Sequence, residues 1–106
     1  MSKVTRVALL SNPEGPENLA ELPRIRAFCA ERPHVFHYEV EDAGQVADAM
    51  RSIVRVRPVL LAINGGKQTV KAALAELKQF GAVPPTVEVL ADGRLEQVRR
   101  AVERAA

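Results

Sequence analysis

Three features of the sequence predict an α/β domain: a three-layer, doubly wound parallel sheet of about four strands with four helices. Short apolar runs of strand length alternate with longer stretches whose apolar residues recur at helical spacing. Clusters of Gly, Pro, Asn and Asp stand between these segments and mark the turns. No hairpin signal joins one apolar run to the next, so the strands should be parallel and linked by helical crossovers. No internal repeat, low-complexity tract or linker divides the chain, which reads as a single domain over 1–106.

The first strand is predicted over 4–10, where Val7, Ala8, Leu9 and Leu10 form a continuous apolar run suited to burial on both faces. Ser11-Asn12-Pro13-Glu14-Gly15-Pro16 ends it. The first helix has two candidate starts. One is an Asn18 cap with Glu21 three residues on; the other is Leu22, with Pro23 in the first turn where a missing N–H costs nothing. Pro23 favours the later start. Leu19, Leu22, Ile25 and Cys29 then share one side, and Pro33 closes the helix from beyond its end.

The second strand, 34–40, alternates loosely and reads as an edge or half-covered strand. The second helix, from about Ala43 to Val54, buries Val46, Ala47, Met50, Ile53 and Val54 and shows Asp48, Arg51 and Arg55 to water. The third strand, 58–63, carries Val59, Leu60, Leu61, Ala62 and Ile63 and stops at Asn64-Gly65-Gly66-Lys67-Gln68-Thr69. Val70, Ala73, Leu74 and Leu77 follow at i, i+3, i+4 and i+7, so the segment is strand, glycine turn and helix. The fourth strand, 86–90, follows Pro84-Pro85. Ala91-Asp92-Gly93 then leads into a last helix with Leu95, Val98 and Val102 inward.

Composition narrows the function classes. At 106 residues the chain holds one core, and 47% hydrophobic with 26% charged residues excludes a disordered or collagen-like protein. The net charge is +2, with no basic run interleaved with aromatics, so nucleic acid is not an expected partner. Cys29 is the single cysteine and cannot form an intramolecular disulfide, which fits a reducing compartment. Met1-Ser2-Lys3 runs straight into a strand-like segment without a signal-peptide core, and no apolar stretch reaches the length of a membrane span. A cytoplasmic protein is expected.

Several chemistry-bearing residues receive plain structural readings. Cys29 lies on the inner side of a helix with no histidine placed to activate it, and packs as a small hydrophobe. His34 and His37 sit three apart in a strand and point to opposite faces, so no metal site is expected. Arg51, Arg55 and Arg57 could reach a partner's phosphates, but a solvated helix edge accounts for them.

In an open parallel sheet, ligands sit beyond the carboxyl ends of the strands. Here that means the loops at 11–15, 63–69 and 90–94, each of which contains glycine. A glycine pair lets backbone approach a ligand closely, and the unpaired N–H groups of a helix start suit phosphate. Familiar nucleotide motifs fail, however. A Walker A loop would need glycine where Leu61 stands and Ser or Thr where Gln68 follows Lys67. No GxGxxG follows any strand. A phospho-acceptor site would need acids where Ser11, Asn12 and Asn64 stand. A flavin site would want aromatic rings near the loops, and only Phe28, Phe36, Tyr38 and Phe80 are aromatic.

Loop by loop, the sequence resembles the nucleotide-binding half of the diacylglycerol kinase catalytic family, which includes sphingosine kinases and bacterial lipid kinases. Asn12-Pro13-Glu14-Gly15 is similar to the family's Asn-Pro-x-x-Gly or Asn-Pro-x-Ser-Gly after the first strand, one residue short of the longer form. Gly65-Gly66-Lys67-Gln68-Thr69 looks like Gly-Gly-Asp-Gly-Thr with its middle changed. Of the third signature, Pro-x-Gly-Thr-x-Asn-Asp, the segment Leu90 to Gln97 keeps Gly93. The resemblance implies ATP or another nucleotide as ligand, with magnesium. It places Asn12, Gly15, Gly65, Gly66, Lys67, Thr69 and Gly93 at the nucleotide or phosphate.

Lys67 stands where the family has the aspartate that helps organise phosphates and magnesium, so a metal partner is replaced by a cation. The family's β-rich second domain, which supplies the catalytic base, is not expected in this chain. No catalytic residue and no metal ligand is therefore assigned, and phosphoryl transfer, which relies on positioning and metal-assisted charge neutralisation, is not expected of the chain alone. A lysine in a first helical turn faces the positive end of the helix dipole, a placement that an anion at the turn would reverse. Three functions remain open: a non-catalytic domain that retains nucleotide or phosphate binding, a phosphotransferase subunit completed in trans, and a structural domain that self-associates. A homodimer through the last strand or helix is expected, because a domain without its companion exposes apolar surface.

Overall fold

Consecutive side chains of a strand point to opposite faces, so a strand apolar at every position must be covered on both sides. The computed structural model, which describes residues 5–81 and 84–105, resolves this requirement into three layers. In chain order the elements are β1 (Val7–Asn12), α1 (Pro16–Ala30), β2 (Val35–Glu39), α2 (Ala43–Val56), β3 (Leu60–Gly65), α3 (Lys67–Phe80), β4 (Thr86–Val89) and α4 (Leu95–Ala105). All strand pairs are parallel, in the order β2-β1-β3-β4. The predicted α/β sheet with four helices is the observed architecture.

The alternation along β1 and β3 builds two separate cores. On one face Val7, Leu9, Leu60 and Ala62 pack against Ile25, Phe28 and Cys29 of α1 and Val98, Ala101 and Val102 of α4. On the other, Ala8, Leu10, Leu61 and Ile63 meet Val46, Met50 and Ile53 of α2 and Ala73 and Leu77 of α3. The two central strands are thus buried on both sides, whereas β2 and β4 form the edges. Among the described residues no helix is long and apolar enough to cross a membrane.

The central strands differ from the expected segments. The predicted first strand began at residue 4, outside the described residues, and ended at 10; β1 runs on through Ser11 and Asn12. The predicted third strand ended at 63, and β3 continues through Asn64 and Gly65. Turn-forming residues mark a local preference, but parallel pairing of Ser11 with Asn64 and Asn12 with Gly65 extends the ladder over them. Two polar residues, Ser11 and Asn64, are carried into the sheet as a result, each with at most 2% exposure.

Helix α1 starts at Pro16, not at Asn18 or Leu22, and Pro23 lies inside it. Pro16 takes the first-turn position where a missing N–H is harmless. Gly15, at φ 83°, turns the chain into the helix and accepts the Leu19 amide at 3.0 Å. Pro23 then forgoes one helical bond on the exposed side, where the Leu19 carbonyl can meet water. Leu19 is 54% exposed because it lies about 120° round the helix from Ile25. Leu74 is likewise 40% exposed: the buried stripe of α3 is Thr69, Ala73 and Leu77, and Leu74 sits about 100° away from it.

Candidate functional site

Strands β1 and β3 are neighbours, yet the helix after β1 packs on one face of the sheet and the helix after β3 on the other. The chain thus departs in opposite directions from adjacent strand ends and leaves a crevice between them. Glu14, Asn18, Asn64, Gly65, Gly66, Asp92 and Gly93 line it, with a volume of about 200 Å³. A second recess of about 230 Å³ adjoins it, formed by Asn12, Glu14, Glu41, Asp42, Gln68 and Thr69.

Hydrogen bonds between loops hold this mouth in shape. Asn12 Nδ2 donates to Thr69 Oγ1 at 2.9 Å and ties the end of β1 to the first turn of α3. Asn18 joins the other two loops: its Nδ2 donates to the Glu14 carbonyl at 2.8 Å, and its Oδ1 accepts the Gly93 amide at 3.1 Å. Glycine is required where these pieces close. A Cβ on Gly93 would lie 2.9 Å from both Asn18 Cβ and Asn64 Oδ1, and one on Gly65 would lie 3.0 Å from Thr69.

The seven residues singled out from the sequence therefore separate. Gly65, Gly66 and Gly93 line the crevice, and Asn12 and Thr69 line the adjoining recess. Gly15 supplies the turn into α1 through its positive φ. Lys67 lines neither cavity. It borders a different groove, of about 530 Å³, along Val70, Lys71, Leu74 and Val89.

Four polar residues of the crevice were not singled out from the sequence: Glu14, Asn18, Asn64 and Asp92. Asn64 is the most telling. The residue is 2% exposed, and its Nδ2 has no hydrogen-bond partner. A buried amide donor without a partner costs about 1–3 kcal/mol. Its sequence signal is a polar residue between a fully buried strand and a glycine pair.

Charge around the mouth is negative. A Cβ on Gly66 would sit inside the Glu14 carboxylate, so that group lies directly over the glycine. Asp92 stands across the crevice, and Glu41 and Asp42 stand in the recess. Gly66 is the N-cap of α3 and provides no side-chain cap, and the first turn carries no acid of its own. Among the described residues no three His, Cys, Asp or Glu side chains gather as metal ligands.

Beneath the mouth, Ser11 Oγ and His37 Nε2 are hydrogen-bonded at 2.7 Å. That is the spacing of a nucleophile and its base, but Ser11 has no exposed surface and no substrate could reach it. Burial holds His37 below its ordinary pKa, opposed by the neighbouring Glu39. Glu39 in turn accepts two bonds from Arg26, at 2.8 and 2.6 Å, and is held below the usual carboxylate range by them. Burial pushes the Cys29 thiol up to about 11, leaving it protonated and unreactive near neutrality. Arg51 pairs with Asp48 on the exposed side of α2. Comparisons of the chain with protein-family models, with curated proteins and with solved structures return no match.

Proposed function

We propose that this domain is a non-catalytic binding module that takes a small polar ligand, of the nucleotide class implied by the resemblance to diacylglycerol kinases, in the crevice after β1, β3 and β4. Asn64 carries the reading: the residue is buried with an unpartnered side-chain amide, lies at the point where the strand order reverses, and belongs to the lining of the cavity. Hydroxyl groups suit the surroundings, since each can accept from Asn64 and donate to Glu14 or Asp92. Lys67 stands where the resembling family has its metal-organising aspartate and borders the other groove, which favours binding over phosphoryl transfer.

Calorimetric titration with adenosine and ADP tests the reading. Heat of binding is expected with at least one of them and should vanish in Asn64→Leu. Because that substitution removes a buried donor without a partner, it should leave stability unchanged or raise it by about 1 kcal/mol. Equal binding by wild type and Asn64→Leu would sink the assignment.

A second reading, self-association, is favoured by the edge strand β4. Val89 is 50% exposed there, beside Leu74 at 40%, so the groove presents aliphatic surface next to the outer edge of the sheet. The two readings use different surfaces and are compatible.

A further inference from the structure

Glu14 stands at the centre of the mouth. It borders both the crevice and the adjoining recess. A Cβ at position 66 would meet the carboxylate, which would have to swing aside. Gly66 is also the start of α3, a helix of 14 residues with no side-chain cap. The free N–H groups and the positive dipole end of that helix therefore face the region that Glu14 fills. Asn64, whose buried Nδ2 has no partner, is a residue of the same crevice lining. An orphan donor beside an open helix start makes a seat for an acceptor, and the chain has laid its own carboxylate across the helix side of it.

We infer that Glu14 is the specificity-determining residue of this crevice: its carboxylate stands over Gly66, beside the anion position at the start of α3, so within the nucleotide class the site prefers the neutral nucleoside, held through its hydroxyls, over the phosphate-bearing forms. The inference rests on the crevice being the binding site. Two like charges about 4 Å apart weaken binding about fivefold in bulk water, and more where protein lowers the effective dielectric. Lys67 does not offset this, because it borders the groove and not the crevice.

Inorganic pyrophosphate and adenosine, titrated into wild type, Glu14→Gln and Glu14→Ala, provide the test. Backbone amide shifts of Gly65, Gly66, Lys67 and Gly93 would be followed by NMR, and the same spectra report whether each variant is folded; Glu14 is exposed and both should be. Pyrophosphate is expected to bind both variants at least about tenfold more tightly than wild type, whereas adenosine, which loses a carboxylate acceptor for its hydroxyls, should bind neither variant more tightly than wild type. Pyrophosphate binding that is no tighter in either variant overturns the role of Glu14. Absence of adenosine shifts at Gly65 and Gly93 in wild type would instead count against the crevice as a nucleoside site, so the two failures are distinguishable.

Discussion

Gly65 and Gly66 separate two recesses of opposite chemistry. On one side is the crevice, with Glu14, Asp92, Asn18 and Asn64. On the other is the groove along α3 and β4, with Lys67, Lys71, Val70, Leu74 and Val89. The crevice is braced by bonds between loops distant in sequence, such as Gly93 to Asn18 and Asn12 to Thr69. Exposed side chains of one helix and one edge strand line the groove, and its lysines project outward. The first surface is therefore a shaped site whose residues depend on one another. The second is a surface patch whose residues can change singly at little cost to the fold.

The largest effect that would sharpen this contrast lies at Gly93. Its added Cβ would press on Asn18 and Asn64, both held in place, so Gly93→Ala should destabilise the domain by about 2 kcal/mol in chemical denaturation and abolish ligand shifts in the crevice. A loss below about 0.5 kcal/mol would mean that the crevice is as tolerant as the groove. Next comes Val89→Glu on the groove. Light scattering should find wild type dimeric at high concentration and the variant's dissociation constant raised at least about tenfold, equivalent to about 1.4 kcal/mol, with folding stability unchanged. A wild-type monomer at every concentration would remove the self-association reading and leave the crevice untouched.

The smallest effect concerns the buried polar layer under the crevice. His37 titrates at a lower pH folded than unfolded, so its contribution is fully present above its ordinary value near 6.5 and is lost as pH falls through the folded value. Glu39, held down by Arg26, adds a loss of the same sign at lower pH. Stability should therefore decline on acidification from about pH 6.5, and His37→Gln should flatten the upper part of that decline. A profile unchanged by the substitution would show that His37 is not the group responsible.

Much of the architecture was legible in the residues. Continuous apolar runs such as Val7 to Leu10 and Leu60 to Ile63 could only be central strands, and helical spacing marked α2 and α4 closely. The misreadings have a common cause. Asn12, Asn64 and Gly65 carry turn preferences worth less than a ladder bond to a neighbouring strand, and Pro23 carries a helix-breaking preference outweighed by the packing of Ile25, Phe28 and Cys29. At the site, the glycines were visible because they punctuate the pattern. Glu14, Asn18 and Asp92 were not, since an acid or amide in a loop looks like any solvated residue until another loop is brought against it.

Lys67 shows the division most clearly. Its place beside Gly66, at the start of a helix, follows from sequence alone, since glycine after an apolar run and helical spacing beyond it fix the local conformation. Which recess it borders is a matter of how α3 lies on the sheet beside β4, a relation between segments that local preferences do not encode. The same holds for the charge of the mouth. Local physics determined that a strand, a glycine turn and a helix would meet here; only the long-range pairing of β1, β3 and β4 decided that Glu14 and Asn64, rather than Lys67, would line the crevice.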